Sequence, residues 1–78
     1  MVTVRLFAAA AEAAGVDETQ VAATTVGEVR AQLIDAHGAG FAPVLRQCAI
    51  VVGGHRRADD AEIPSAVTVD VLPPFAGG

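Results

Sequence analysis

Apolar and polar positions alternate through Val2-Thr3-Val4-Arg5-Leu6-Phe7, with β-branched residues in the apolar places, so the chain opens with a strand. Val2, Val4 and Leu6 share one face and Phe7 falls on the other, where an exposed aromatic would be worth a partner contact. The alanine-rich stretch Ala8 to Ala14 predicts one or two helical turns, stopped by Gly15. Thr19-Gln20-Val21-Ala22 then reads as a second strand returning beside the first.

The clearest local signal is Thr25-Val26-Gly27-Glu28. A threonine followed three residues later by glutamate forms a capping box, and it opens a helix over Val26–His37. Val26, Val29, Leu33 and Ala36 or His37 recur at helical spacing, and Ile34 widens the stripe. Gly38 and Gly40 end the helix, and His37 in its last turn suits the negative pole. Gly27 in the first turn costs up to about 1 kcal/mol against alanine. Phe41-Ala42-Pro43-Val44-Leu45 predicts a helical turn over the edge of the core. Ala49-Ile50-Val51-Val52 is a third strand, ended by the turn signal Gly53-Gly54. His55-Arg56-Arg57 reads as a brief edge strand whose charges discourage pairing with other chains. Asp59 to Ala66 is a loop, and Val67-Thr68-Val69-Asp70-Val71-Leu72 is a final alternating strand that Pro73 ends.

Strands on both sides of one main helix predict an α+β domain, with that helix covering one face of a mixed sheet. In so small a body the first and last strands are expected at the sheet centre. They run parallel there because the main helix crosses between the chain halves, an arrangement known as the ubiquitin-like β-grasp. Val4, Leu6, Val29, Leu33, Ile50, Val52, Val69 and Val71 are the expected core. Residues 1–72 would form the body and residues 73–78 a flexible, protruding tail. In that tail Pro73-Pro74 holds an extended backbone, Phe75 offers a partner pocket an aromatic anchor, and Ala76-Gly77-Gly78 passes where a larger side chain would clash.

Composition narrows the chemistry. The 78 residues bury only about 60–65% of their unfolded surface, which leaves little room for an internal active site. Nine acidic residues against five basic ones give a net charge of −4, a poor balance for nucleic-acid binding that suggests a partner with a basic face. All the basic residues are arginine, so no side-chain amine exists for a carboxylate-activating partner to join to. No stretch approaches the roughly 20 apolar residues of a membrane span, and the start lacks the pattern of a secretory signal. The single Cys48 fits a reducing cytoplasm.

No catalytic constellation is visible. His37, His55 and Cys48 are not in metal-ligand spacing, and Asp59, Asp60 and Glu62 fall short of calcium coordination. Cys48 reads as a packed strand residue. Gly53-Gly54 leads into a strand and lacks the lysine of a phosphate loop. The body therefore reads as a handle without a bound cofactor or metal, and the tail as the reactive end.

Leu72-Pro73-Pro74-Phe75-Ala76-Gly77-Gly78 after Val69-Asp70-Val71 resembles the terminus of the molybdopterin synthase small subunit, within the ThiS/MoaD-like sulfur carriers. The segment Val4 to Gly15 is similar to that family's first strand and short helix, and Thr25-Val26-Gly27-Glu28-Val29 to its main helix start. The resemblance implies that a partner with an ATP site adenylates the Gly78 carboxylate and that sulfur transfer makes it a thiocarboxylate. The loaded tail, Pro73 to Gly77, would thread into the large synthase subunit. There it would give its sulfur to cyclic pyranopterin monophosphate, in a heterotetramer of two small and two large subunits. Phe7 and Leu72 match apolar contact positions, joined by Phe75, and the catalytic groups would lie on the large subunit.

Three positions depart from that pattern: Val52-Gly53-Gly54 at the end of the third strand, Arg56 where an apolar partner contact is usual, and Pro64-Ser65-Ala66 before the last strand. The rival readings are a sulfur carrier for thiamine or cysteine synthesis, a protein modifier that forms isopeptide bonds, and a non-reactive ubiquitin-like binding module.

Overall fold

The computed structural model describes residues 1–64 and 66–74. The expected Phe75, Ala76, Gly77 and Gly78 positions lie outside the described residues. The elements run β1 (Val2–Leu6), α1 (Ala9–Ala14), β2 (Glu18–Val21), α2 (Val26–His37), α3 (Ala42–Gln47), β3 (Ala49–Val52), β4 (His55–Arg56) and β5 (Thr68–Leu72).

The strands form one mixed sheet in the order β2-β1-β5-β3-β4. β1 and β5 pair in parallel, with Val4 opposite Val69 and Leu6 opposite Val71. β2 lies antiparallel beside β1, β3 antiparallel beside β5, and β4 antiparallel beside β3. This is the β-grasp, with the first and last strands central. Parallel neighbours need a long crossover, and α2 and α3 are part of it.

Alternation along the strands sends one row of side chains toward the helices. Val4, Leu6, Ile50, Val52, Val69 and Val71 from the sheet meet Val29 and Leu33 from α2, and each is at most 5% exposed. The hairpin between β3 and β4 turns on Gly53 and Gly54, at φ 57° and 85°. Two successive positive φ values define a type I′ turn, which glycine adopts without the strain a Cβ would bring. Gly27 has a different reason. Its N–H donates to the Asp59 carbonyl at 2.8 Å, and a Cβ there would meet that oxygen at 3.2 Å. The loop after β4 thus packs onto the first turn of α2, which offsets the helical cost of glycine.

The α2 start carries the capping box. Thr25 Oγ1 accepts from the Glu28 N–H at 3.2 Å, and Glu28 Oε1 accepts from the Thr25 N–H at 3.3 Å. The same carboxylate oxygen also accepts from the Thr24 N–H at 2.6 Å and the Thr24 hydroxyl at 2.8 Å. These bonds, the Thr24 backbone N–H first, hold the Glu28 carboxyl below its ordinary range. A carboxyl lowered on folding stabilises the protein at pH above its unfolded value, and that contribution disappears as pH falls through the folded value. Thr25→Ala is expected to cost about 1 kcal/mol at neutral pH. In urea titrations the penalty of Glu28→Gln should shrink on acidification.

Two features, the Phe41 segment and Cys48, differ in detail from the sequence pattern. Phe41 and its neighbours form more than a turn at the core edge. α3 is a six-residue helix with Pro43 in its first turn, and Phe41 is only 1% exposed, among the largest fully buried side chains. Arg30 on α2 explains how so short a helix holds its end, since its guanidinium donates to the Leu45 carbonyl at 2.7 Å and the Cys48 carbonyl at 3.1 Å. It also pairs with Asp59 at 2.8 Å. His37 is half-buried at the end of α2, 5.5 Å edge-on from the Phe41 ring, with Nε2 out of contact with solvent and unpartnered among the described residues. Cys48 precedes β3 as the C-cap of α3 and does not lie within a strand.

Candidate functional site

β5 delivers the chain out of the sheet centre at Leu72, which pairs with Ala49 of β3. Phe7 lies one step beyond the paired Leu6 and Val71, and its N–H donates to the Val71 carbonyl at 3.2 Å. The two expected apolar contacts, Phe7 and Leu72, are therefore brought to the root of the tail. Phe7 is 37% exposed and Leu72 half-buried. The prolines divide: Pro73 is buried against the body, whereas Pro74 is exposed. Pro73, expected as the first residue of the protruding segment, is thus seated on the domain.

A strained turn follows Phe7. Ala8 has φ 50° and ψ −123°, the first central position of a type II′ turn, which normally takes glycine. The Phe7 carbonyl accepts from the Ala10 N–H at 3.0 Å and closes that turn. A non-glycine residue in such a region costs on the order of 1–3 kcal/mol and persists where the surroundings over-determine it. The strained residue sits directly beside the exposed aromatic.

Two open grooves flank the prolines. One, of about 240 Å³, lies between Pro73-Pro74 and Ala9, Pro43, Val44 and Gln47. The other, of about 260 Å³, is lined by Gln47, Ala49, Arg56, Leu72 and the same prolines. Both present apolar walls with a few polar atoms, suited to chain running alongside the tail.

The face of the sheet away from the helices bears a transverse row of charge. The register aligns Glu18, Arg5, Asp70, Val51 and Arg56 from β2 to β4. At its centre Arg5 grips Asp70 with two bonds, 2.8 Å from Nε and 3.1 Å from Nη2, and its guanidinium carbon lies 5.5 Å from the Phe7 ring centroid. The Asp70 hydrogen bond is the main reason the Arg5 pKa is raised. The sequence pattern put Arg5 and Asp70 on the outward parity of their strands. Only the parallel register places them opposite one another.

Cys48 is buried, and its Sγ donates to the Val44 carbonyl at 3.2 Å. Burial pushes the thiol pKa up against the opposing pull of Arg30, so the sulfur is held as a weakly nucleophilic thiol. Among the described residues no group of three or more His, Cys, Asp or Glu side chains could hold a metal ion. No helix among them is long and apolar enough to cross a membrane.

Comparison with known proteins places this geometry. The model of the ThiS family matches residues 4–78. SAMP1 from Haloferax volcanii superposes with a TM-score of 0.84 at 25% identity, covering 99% of this chain and 98% of that one. A chain of the complex of subunits 1 and 2 of molybdopterin-converting factor from Helicobacter pylori gives a TM-score of 0.72 at 26% identity, covering 99% and 97%. A chain of the Amycolatopsis orientalis BexX/CysO complex shares the fold, with a TM-score of 0.82 at 21% identity and full coverage of both chains. No curated protein matches.

Proposed function

The chain belongs to the ThiS family of sulfur carriers, and on that footing we propose that it carries sulfur as a thiocarboxylate on Gly78 for a sulfur-incorporating biosynthetic enzyme. The observation that carries this reading is the family match running through Gly78. The family resemblance narrows the role to carrier and leaves the acceptor broader than molybdopterin synthase. The archaeal SAMP1 is about as similar to this chain as the molybdopterin-converting factor subunit is.

The chemistry follows from the weakness of a carboxylate as an acyl donor. An ATP-using partner joins the Gly78 carboxylate to AMP and releases pyrophosphate. A persulfide on a sulfur donor attacks the acyl carbon and expels AMP, giving an acyl disulfide. A thiol then cleaves the S–S bond, leaving the thiocarboxylate on Gly78 and a disulfide on the donor. Tethering the sulfur to a protein raises its effective concentration at the acceptor and keeps sulfide out of bulk solution. Catalytic groups would sit on the partners. Phe7, Leu72 and Phe75 would provide apolar contacts for them, and Pro73 to Gly77 the segment that threads.

A second reading, the small subunit of molybdopterin synthase donating to cyclic pyranopterin monophosphate, is favoured by Pro73-Pro74 before the terminal glycines and by the Helicobacter pylori complex. Supplying purified acceptor enzymes to the loaded protein separates the two.

Incubation with a cognate adenylating enzyme, ATP and a persulfide donor should exchange one oxygen of Gly78 for sulfur, seen by intact-protein mass spectrometry. Cys48→Ala should load equally, because the buried thiol is neither exposed nor activated. A gain of sulfur lost in Cys48→Ala would place the sulfur on the side chain and overturn the carrier reading. An amide-linked adduct on another protein's lysine would assign the chain to the modifiers instead.

A further inference from the structure

The net charge of −4 suggests a partner with a basic face, but the outer face of the sheet is not acidic throughout. Glu18 lies at the β2 edge and Arg56 at the β4 edge, both exposed, and the register sets them at opposite ends of one row. Between them Arg5 and Asp70 neutralise one another through their bidentate bond. Val51, half-buried, fills the remaining place beside Arg56. The face is thus acidic along one edge, basic along the other and neutral at its centre.

Resting on the sulfur-carrier reading above, we propose that this face is a polarised docking surface for the protein that adenylates Gly78. The partner presents a carboxylate to Arg56 and a basic side chain to Glu18, with an uncharged strip between. Two features tie the row to the tail. Arg56 lines the groove that Pro73 and Pro74 also line, so a carboxylate held by Arg56 lies alongside the segment that must enter the partner. Arg5 also contacts Phe7, so the central pair braces the aromatic at the tail root. Arg30 is committed to Asp59 and two carbonyls, and Arg5 to Asp70. Arg56 is therefore the cation of the row that a partner can engage. Opposed charges at the two edges fix the orientation of docking, since a partner rotated by half a turn would meet like charge at both ends.

ATP–pyrophosphate exchange by the cognate adenylating enzyme, with the chain as the varied substrate, tests this. Arg56→Glu should raise the KM for the chain about tenfold or more while kcat stays within about twofold, because like charges at a docking edge oppose encounter and not chemistry. Glu18→Lys should act in the same direction. Arg57→Glu changes net charge equally but lies with Val52 and His55 around a separate cavity, and it should leave KM near the wild-type value. Equal effects of Arg56→Glu and Arg57→Glu would reduce the result to net charge and overturn the proposal, as would a wild-type KM in Arg56→Glu. Absence of exchange with the wild-type chain would instead overturn the carrier reading itself. Unfolding transitions of all the variants should coincide, since each site is exposed.

Discussion

Deleting Gly78 is expected to yield a folded protein that neither accepts adenylate nor carries sulfur. The deletion leaves a terminal carboxylate, now on Gly77, but draws it back along the chain by about 3.5 Å. A misplacement of about 1 Å at a reacting centre already costs on the order of 100-fold. With the body seated on its partner, the shortened tail cannot recover that distance without giving up contacts at its root. Pyrophosphate exchange and sulfur loading should therefore fall by well over about 100-fold. Stability should change by less than about 0.5 kcal/mol, the range of a substitution remote from the core. Sulfur transfer surviving the deletion would sink the carrier reading.

The body that carries this tail is the part of the molecule most legible in sequence. Period-two alternation in Val2–Phe7 and Val67–Leu72, and the capping box at Thr25, are local signals, and each produced the element it announced to within one residue at an end. Parallel pairing of the first and last strands followed from size and chain crossing alone. Cross-strand partnership was harder to read. Arg5 and Asp70 lie 65 residues apart, and nothing local links them. Their meeting is fixed by the register of β1 on β5, which is set by the core valines on the opposite face. Ala8 was hidden for another reason. In an alanine run its composition predicts helix, and only the demand to turn sharply from β1 into α1 forces its left-handed φ.

Phe41 marks the limit of pattern reading and carries the largest expected effect on stability. Its segment, between Gly40 and Pro43, is too short for periodicity to assign a face, so it read as peripheral. In the fold Phe41 is 1% exposed, in the same core cluster as Leu33 and Leu45 and edge-on to His37. Phe41→Ala removes an aromatic ring that a small domain cannot replace by collapse, and such truncations cost about 3–5 kcal/mol. Water entering the space could reach His37 Nε2, which lacks a partner among the described residues, and that compensation favours the lower end of the range. At about 0.05–0.15 kcal/mol per residue, a domain of this size has a total stability of about 4–12 kcal/mol. The variant should therefore lose at least about a quarter of its stability and, at the weak end of that range, fail to fold. Urea unfolding followed by circular dichroism measures it, with Phe41→Leu expected to recover most of the loss by refilling the site. The damage should reach the carrier function as well. Phe41 seats α3, and Pro43, Val44 and Gln47 of that helix form one wall of the groove beside Pro73 and Pro74. Where Phe41→Ala remains folded, its KM for the adenylating enzyme should rise although residue 41 is buried in the core. A loss below about 1 kcal/mol would mean that the core closes over the missing ring, and α3 would then be a covering of the body and not a support for the tail.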